Sequence, residues 1–192
     1  MISSIELIHE NMHQRQSVGQ LVDPAPTTQQ LNLAFEAALT APDHHRLKPT
    51  RFVIVPEEKR VYFGELLSQS MNDFDIDPVQ IERARSQPLR APLLVLALTE
   101  LQDHPKVPHY EQILSTGAAV QNFLLSVQAQ GFSTIWRTGA VVESSTLKCA
   151  LGLQERDLIS GIIYIGTAAR EIPKRAEISV ADHVSYWQES DQ

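Results

Sequence analysis

The apolar positions divide the chain into helix-like and strand-like stretches. Residues 3–14 carry Ile5, Leu7, Ile8 and Met12 behind Ser3 and Glu6, the reciprocal capping pattern that opens a helix. Thr27 and Gln30 repeat that pattern ahead of residues 28–41, which place Leu31, Ala34, Phe35, Ala38 and Leu39 on one helical face. Between the two, LVDPAP at 21–26 reads as a turn, because its prolines and the Asp before one of them block a helix. FVIV at 52–55 reads as a short buried strand, and 57–71 and 78–86 as helices. PLLVLAL at 92–98 is apolar without alternation, which predicts a strand covered on both faces.

Residues 109–130 form the longest predicted helix. Ile113, Ala118, Val120, Leu124, Val127 and Ala129 make it apolar around much of its circumference, the pattern of a central, buried helix. STIW at 133–136 is a third strand, 143–151 a helix ended by Gly152, and LISGIIYIG at 158–166 a fourth strand. The last 26 residues show no clear period and read as an arm that packs against a partner subunit. Helices alternating with buried strands predict a layered α/β domain. No repeat or linker interrupts it, so residues 1–192 are expected to form a single domain.

Composition narrows the function classes. The 192 residues are 43% hydrophobic and 20% charged, with a net charge of −7. An acidic surface repels phosphate backbones and anionic bilayers, which disfavours nucleic acid and membrane partners. The longest apolar run, Pro92–Leu98, is far short of the roughly 20 residues that span a bilayer. The N-terminal MISSIELIHENMH lacks the basic start and apolar segment of a signal peptide. The single cysteine, Cys149, can form no internal disulfide, which fits a reducing compartment. A soluble, cytoplasmic protein is the expectation.

Candidate chemistry begins at APDHHRLKPTRF, 41–52, where His44 and His45 lie between two prolines. A zinc site needs three or four ligands at suitable spacing. Adjacent histidines diverge, and no HExxH, HxH or CxxC occurs, so no metal is expected. His9 and His13 have a metal-compatible i, i+4 spacing but read as an exposed helix face. Cys149, among Leu147, Ala150 and Leu151, reads as a small core residue. GxSxG, Walker and GxGxxG motifs are absent. Three further stretches stand out. Arg15 and Ser17 follow the first helix, where a guanidinium and a hydroxyl can bind phosphate or a carbonyl-rich ring; the pattern also fits a solvated helix end. Trp136, Arg137 and Thr138 sit at a strand's end, where ligands of α/β sheets collect; the pattern also fits a plain strand exit. YIGTAAR at 164–170 reads as a strand, a Gly-Thr turn and a basic residue.

Taken in order, QRQS, DPAPT, APDHHRLKPTRFVIV, KVPHYEQILSTGAAVQNFLLSVQAQGFSTIWRTGA and YIGT cover most of residues 14–167. Their combined order and spacing resemble the nitroreductase family of flavin-dependent oxidoreductases, and most of all its small bacterial NAD(P)H nitroreductase branch. The resemblance implies an α+β, three-layer fold, a mixed central sheet flanked by helices, in an intertwined homodimer with FMN at the interface. It places Arg15, Gln16 and Ser17 at the family's Arg-Arg-Ser flavin motif, with Gln16 in place of the usual second cation. His44 is implied as a flavin contact on a loop from the partner subunit, and Thr40 stands where Arg is more usual. Lys48 and Thr50 replace a common Gln and Trp. Trp136, Arg137 and Thr138 match the segment lining the flavin.

The chemistry so implied is hydride transfer from NADH or NADPH to flavin N5, then electron delivery to a nitroaromatic or quinone-like small molecule, in ping-pong order. The flavin carries the reaction, so no side chain is expected to be catalytic, and the assigned residues bind cofactor. A cation near flavin N1, Arg15 or Arg137, would stabilise the reduced ring. A flavin-binding, sensing or storage protein with little turnover is the alternative, motivated by the four departures at Gln16, Thr40, Lys48 and Thr50.

Overall fold

The structure is a computed structural model and describes residues 3–187. Eleven regular elements carry it: α1 (Ser4–Gln14), β1 (Leu21–Val22), α2 (Thr28–Ala38), β2 (Thr50–Val55), α3 (Arg60–Ser70), α4 (Pro78–Ser86), β3 (Leu93–Thr99), α5 (His109–Ala129), β4 (Ser133–Arg137), α6 (Ser145–Ala150) and β5 (Leu158–Ala168). The sheet runs β1-β5-β3-β2, with β4 also paired to β5. All of these ladders are antiparallel. The parallel component is one isolated bridge, Ser17 to Thr134.

Side-chain alternation along β3 explains the layering. Leu94, Leu96 and Leu98 face a core with Phe63, Leu67, Ala84 and Leu147 from α3, α4 and α6. Leu93, Val95 and Ala97 face a second core with Leu31, Ala34 and Ala38 of α2 and Ala119, Val120, Phe123, Leu124 and Val127 of α5. Every residue of β3 is buried, as its unbroken apolar run requires. Helices on both faces make three layers, and the fold is α+β. Phe35, Phe52 and Phe123 join the second core as an aromatic group, with centroids 5.1–5.6 Å apart.

Capping chemistry fixes the helix starts. Both anticipated capping boxes form: Ser3 with Glu6 on α1 and Thr27 with Gln30 on α2. Asp77 caps α4 by accepting from Val79 N, with Pro78 in the first turn.

Several expectations change. FVIV is not a buried strand: β2 sits at the sheet edge, Val55 alone is buried, and Ile54 is 44% exposed. An apolar run cannot itself report whether a neighbouring strand exists on each side. α2 ends at Ala38, which leaves Leu39 64% exposed beyond the helix. The segment 57–71 is α-helical only over α3, with 3₁₀ turns at Glu57–Lys59 and Met71–Asp73. α5 is central but not buried all round, since Tyr110, Ile113 and Leu114 are exposed. Cys149 is exposed rather than a core residue. LVDPAP begins with the short strand β1, and no turn occurs at Gly166-Thr167, because β5 continues to Ala168. The segment after β5 is exposed except at half-buried Arg175 and irregular apart from a 3₁₀ turn at Val180–Asp182, and the end of the anticipated arm, 188–192, lies outside the described residues.

Candidate functional site

α5 serves as a ruler for the candidate residues. At its first turn Glu111 Oε2 lies 2.6 Å from His44 Nδ1. Ile113 and Gly117 face Trp136 and Thr138 across a cavity of about 550 Å³. Asn122 donates to the carbonyl of Ala37 at 3.4 Å, near the end of α2 and close to Thr40. At the last turns Asn11 of α1 donates to the Leu125 carbonyl at 3.0 Å, and Gln128 donates to the Asn11 carbonyl at 2.6 Å. The helical rise from Glu111 to Leu125 is about 20 Å. His44 and the Arg15 end of α1 therefore belong to opposite ends of α5 within one chain.

The chain after α1 is drawn against the sheet. Val18 donates to the Thr134 carbonyl at 2.9 Å, which holds Ser17 beside β4. Arg15, the residue that ends α1, has a partly buried guanidinium, and Arg175 donates a hydrogen bond to the Arg15 carbonyl. Desolvation, and then the like charge of Arg175, hold Arg15 below the usual arginine range. Arg175 Nε is buried without a partner. Among the described residues no carboxylate forms an ion pair with either guanidinium. Gln16 donates to the Pro173 carbonyl at 2.8 Å and lines, with His13, Pro173, Lys174 and Arg175, a cleft of about 930 Å³. All three basic residues after β5 come near this segment, Arg170 beside Gln16 and Ser17 and Lys174 in the cleft with Gln16, but Arg175 is the one bonded to Arg15.

Trp136, Arg137 and Thr138 do not act as one surface. Strand alternation separates them. Trp136 and Thr138 line the cavity against α5, whereas Arg137 places its guanidinium 5.8 Å from the Tyr164 ring centre and beside Gly19. Burial raises the Tyr164 phenol, opposed by the charges of Arg137 and Arg90. The Trp136 indole donates to the Ser160 carbonyl at 2.9 Å. The β3–β5 register shifts between Ala97 and Leu98, which leaves Ser160 as a bulge. The next residue, Gly161, has φ +148°, and a side chain there would collide with the indole nitrogen. The sequence reading did not single out Gly161. Its signal is a glycine inside an apolar strand, which marks a bulge or a close approach.

The loop bearing His44 is fixed by unusual backbone. His45, Arg46 and Lys48 all have left-handed φ, at 60°, 56° and 53°. Such residues cost on the order of 1 kcal/mol or more each and persist where their surroundings hold them. The Asp43 carboxylate accepts from Leu47 N at 3.0 Å and Lys48 N at 2.7 Å. Gln102 donates to the Leu47 carbonyl at 2.6 Å. Thr50 turns inward, 3.0 Å from the Thr116 hydroxyl, and the Thr40 hydroxyl donates back to the Ala37 carbonyl at 2.8 Å. Among the described residues no group of three His, Cys, Asp or Glu side chains could hold a metal ion.

Comparison with known proteins agrees with this architecture. The Nitroreductase family model matches residues 12–167. The Escherichia coli (strain K12) protein named "Putative NAD(P)H nitroreductase YdjA" is 37% identical over 168 residues, which are 88% of this chain and 91% of that protein. The crystal structure of a nitroreductase-like family protein from Bacillus cereus superposes with a TM-score of 0.81 at 21% identity, covering 98% of both chains. A nitroreductase with bound FMN from Bacteroides fragilis gives a TM-score of 0.72 at 19% identity, over 94% of this chain and 98% of that one. With the family model spanning most of its length and a relative at this identity, the chain belongs to the nitroreductase family.

Proposed function

We propose that the chain is an FMN-dependent oxidoreductase, a single domain acting as a cytoplasmic homodimer, that takes reducing equivalents from NADH or NADPH and passes them to a nitroaromatic or quinone-like small molecule. The observation that carries this reading is the Arg15–Arg175 pair. The Arg175 guanidinium is bonded to the Arg15 main-chain carbonyl, near enough for its charge to act on the desolvated Arg15 guanidinium; its own Nε–H is orphaned, and no carboxylate of the described residues pairs with either cation. A doubly charged phosphate supplies the missing counter-charge and acceptors. FMN ends in such a phosphate, so the residues fit it, and family membership supports the same reading. When bound, FMN supplies hydride acceptance and onward electron transfer, one substrate leaving before the next arrives.

The chain's own residues bind and orient. Arg15, Arg175 and Ser17 hold the phosphate end, with Gln16 fixed by its bond to Pro173. Trp136 and Thr138 supply one wall of the ring site against α5, and Arg137 contributes positive charge from β4. Thr40 and His44 reach the cofactor from the second copy. Two observations support that crossing. His44 and Arg15 are separated along α5, and the apolar positions Ile5, Ile8 and Met12 of α1 are more than half exposed. No described helix is long and apolar enough to cross a membrane.

Purified protein is expected to be yellow and to release FMN identified by mass spectrometry. NAD(P)H oxidation is expected to be steady with a quinone or a nitroarene. Arg15→Ala should weaken FMN retention at least tenfold. Colourless protein that ignores added FMN would overturn the reading. Tight FMN binding with negligible turnover would instead assign a flavin-binding or storage role.

A further inference from the structure

The assigned contacts end at His44, yet His44 is not placed by its own loop alone. Its Nδ1 lies 2.6 Å from Glu111 Oε2, and the other oxygen of that carboxylate accepts from the Tyr110 hydroxyl at 3.3 Å. An ionised carboxylate only accepts hydrogen bonds, so the short contact requires the proton on Nδ1. Free neutral histidine prefers its proton on Nε2. Glu111 therefore reverses the ordinary preference of the ring, just as a hydrogen bond to one ring nitrogen generally decides the state of the other.

We propose that Glu111 is a positioning residue for the flavin site: it locks His44 as the Nδ1–H tautomer and leaves Nε2 as the one ring atom offered to a ligand. A neutral ring so held presents an acceptor, suited to an N–H donor such as the imide of an oxidised flavin ring. The proposal rests on the function proposed above for the ligand's identity, but not for the tautomer.

The surroundings are consistent with a ring fixed in place. Half of the His44 side chain is exposed, against 30% for Glu111, so the pair sits at a surface with the imidazole outermost. The groups facing His44 are His45 on its own turn, with ring centres 4.8 Å apart, and Glu111 and Tyr110 on α5; His104 lies beyond, against His45. Three left-handed residues and the Asp43 bonds fix the turn that carries the ring. Glu111 stands in the first turn of α5, so its carboxylate also suits the helix N-terminus on its own account. A test must separate that structural role from action through His44.

Nitrogen NMR of ¹⁵N-histidine-labelled dimer before FMN is added reads the tautomer directly. Wild type is expected to show His44 with Nδ1 protonated and Nε2 bare. Glu111→Ala should return the ring toward the Nε2–H form, and Glu111→Gln, whose amide oxygen still accepts, should keep the wild-type pattern. FMN affinity, followed by quenching of flavin fluorescence, is expected to fall about tenfold in Glu111→Ala, the scale of one lost hydrogen bond to a charged group. It should recover in Glu111→Gln. In a His44→Ala background the Glu111→Ala loss should vanish, because the two act as one unit.

A wild-type ring protonated on Nε2 would overturn the proposal, as would an undiminished Glu111→Ala effect without His44. If His44→Ala leaves FMN affinity unchanged, the flavin contact itself falls and the ligand half of the proposal with it, while the NMR result still decides the tautomer. Failure of the protein to bind FMN at all is the separate outcome that overturns the functional reading.

Discussion

α1 and α2 are close to the same helix when taken alone. Each has 11 residues, and each opens with a complete capping box. In the fold they diverge. α2 buries Leu31, Ala34 and Ala38 against α5 and the sheet. α1 buries nothing, and touches α5 through Asn11 and Gln128. Capping is decided within four residues, whereas burial is decided by what the rest of the chain brings opposite. Among the described residues the apolar stripe of α1 is left unburied. That contrast supports the proposed second copy.

The comparison can be broken most severely by placing a charge on each stripe. Ala34→Asp puts a carboxylate at a fully buried position and should cost at least about 3 kcal/mol, read by chemical denaturation. Ile8→Asp should spare the folded chain and raise the dimer dissociation constant at least tenfold, about 1.4 kcal/mol, read by sedimentation. Equal loss of stability in both variants would mean that α1 is packed within its own chain.

A milder test removes the caps. Thr27→Ala should lower global stability by about 1 kcal/mol, because α2 unfolds with the core. Ser3→Ala removes the same chemistry, yet should appear as faster amide exchange in the first turn of α1 with global stability unchanged.

The smallest effect concerns acid. Asp73 accepts from the hydroxyls of Ser144, Ser145 and Thr146 and from Thr146 N, and so joins the end of α3 to the start of α6. The Ser144 bond leads the causes that lower its carboxyl to about 2. Its folded value lies below the unfolded one, about 3.9, so this stabilisation is present above pH 4 and is lost as pH falls toward 2. Asp73→Asn should flatten the dependence of the urea midpoint on pH across that window. Glu6, lowered by its Ser3 bonds, belongs to the unpacked α1, and Glu6→Gln should leave that global dependence intact.

What was legible in the sequence follows the same division. α4 runs over the anticipated 78–86, because Asp77 and Pro78 fix its start locally. β3 was legible because six apolar residues in a row, Leu93–Leu98, leave no polar face to turn to water. The edge position of β2 was not, since strand order depends on residues over a hundred positions away in β5. The same holds within the site. Arg15, Gln16 and Ser17 form one contiguous motif, but the proximity of Arg175 to Arg15 joins residues 160 positions apart. The His44–Glu111 pair spans 67 positions, and no local pattern announces it.

The Ser160 bulge has a consequence for how the cavity against α5 can vary. The Trp136 indole is tied to a main-chain carbonyl, so every residue type at position 160 offers the same acceptor. The Ser160 hydroxyl is occupied elsewhere, 2.6 Å from that of Thr99. Substitution at the residue that makes the bond therefore leaves the indole's acceptor in place, although it takes a partner from the buried Thr99 hydroxyl. The constraint falls instead on Gly161, which makes no bond to the indole and has no side chain to lose. A wall of the pocket thus depends on the absence of a side chain, since a single methyl group added at Gly161 would press directly on the indole that forms it.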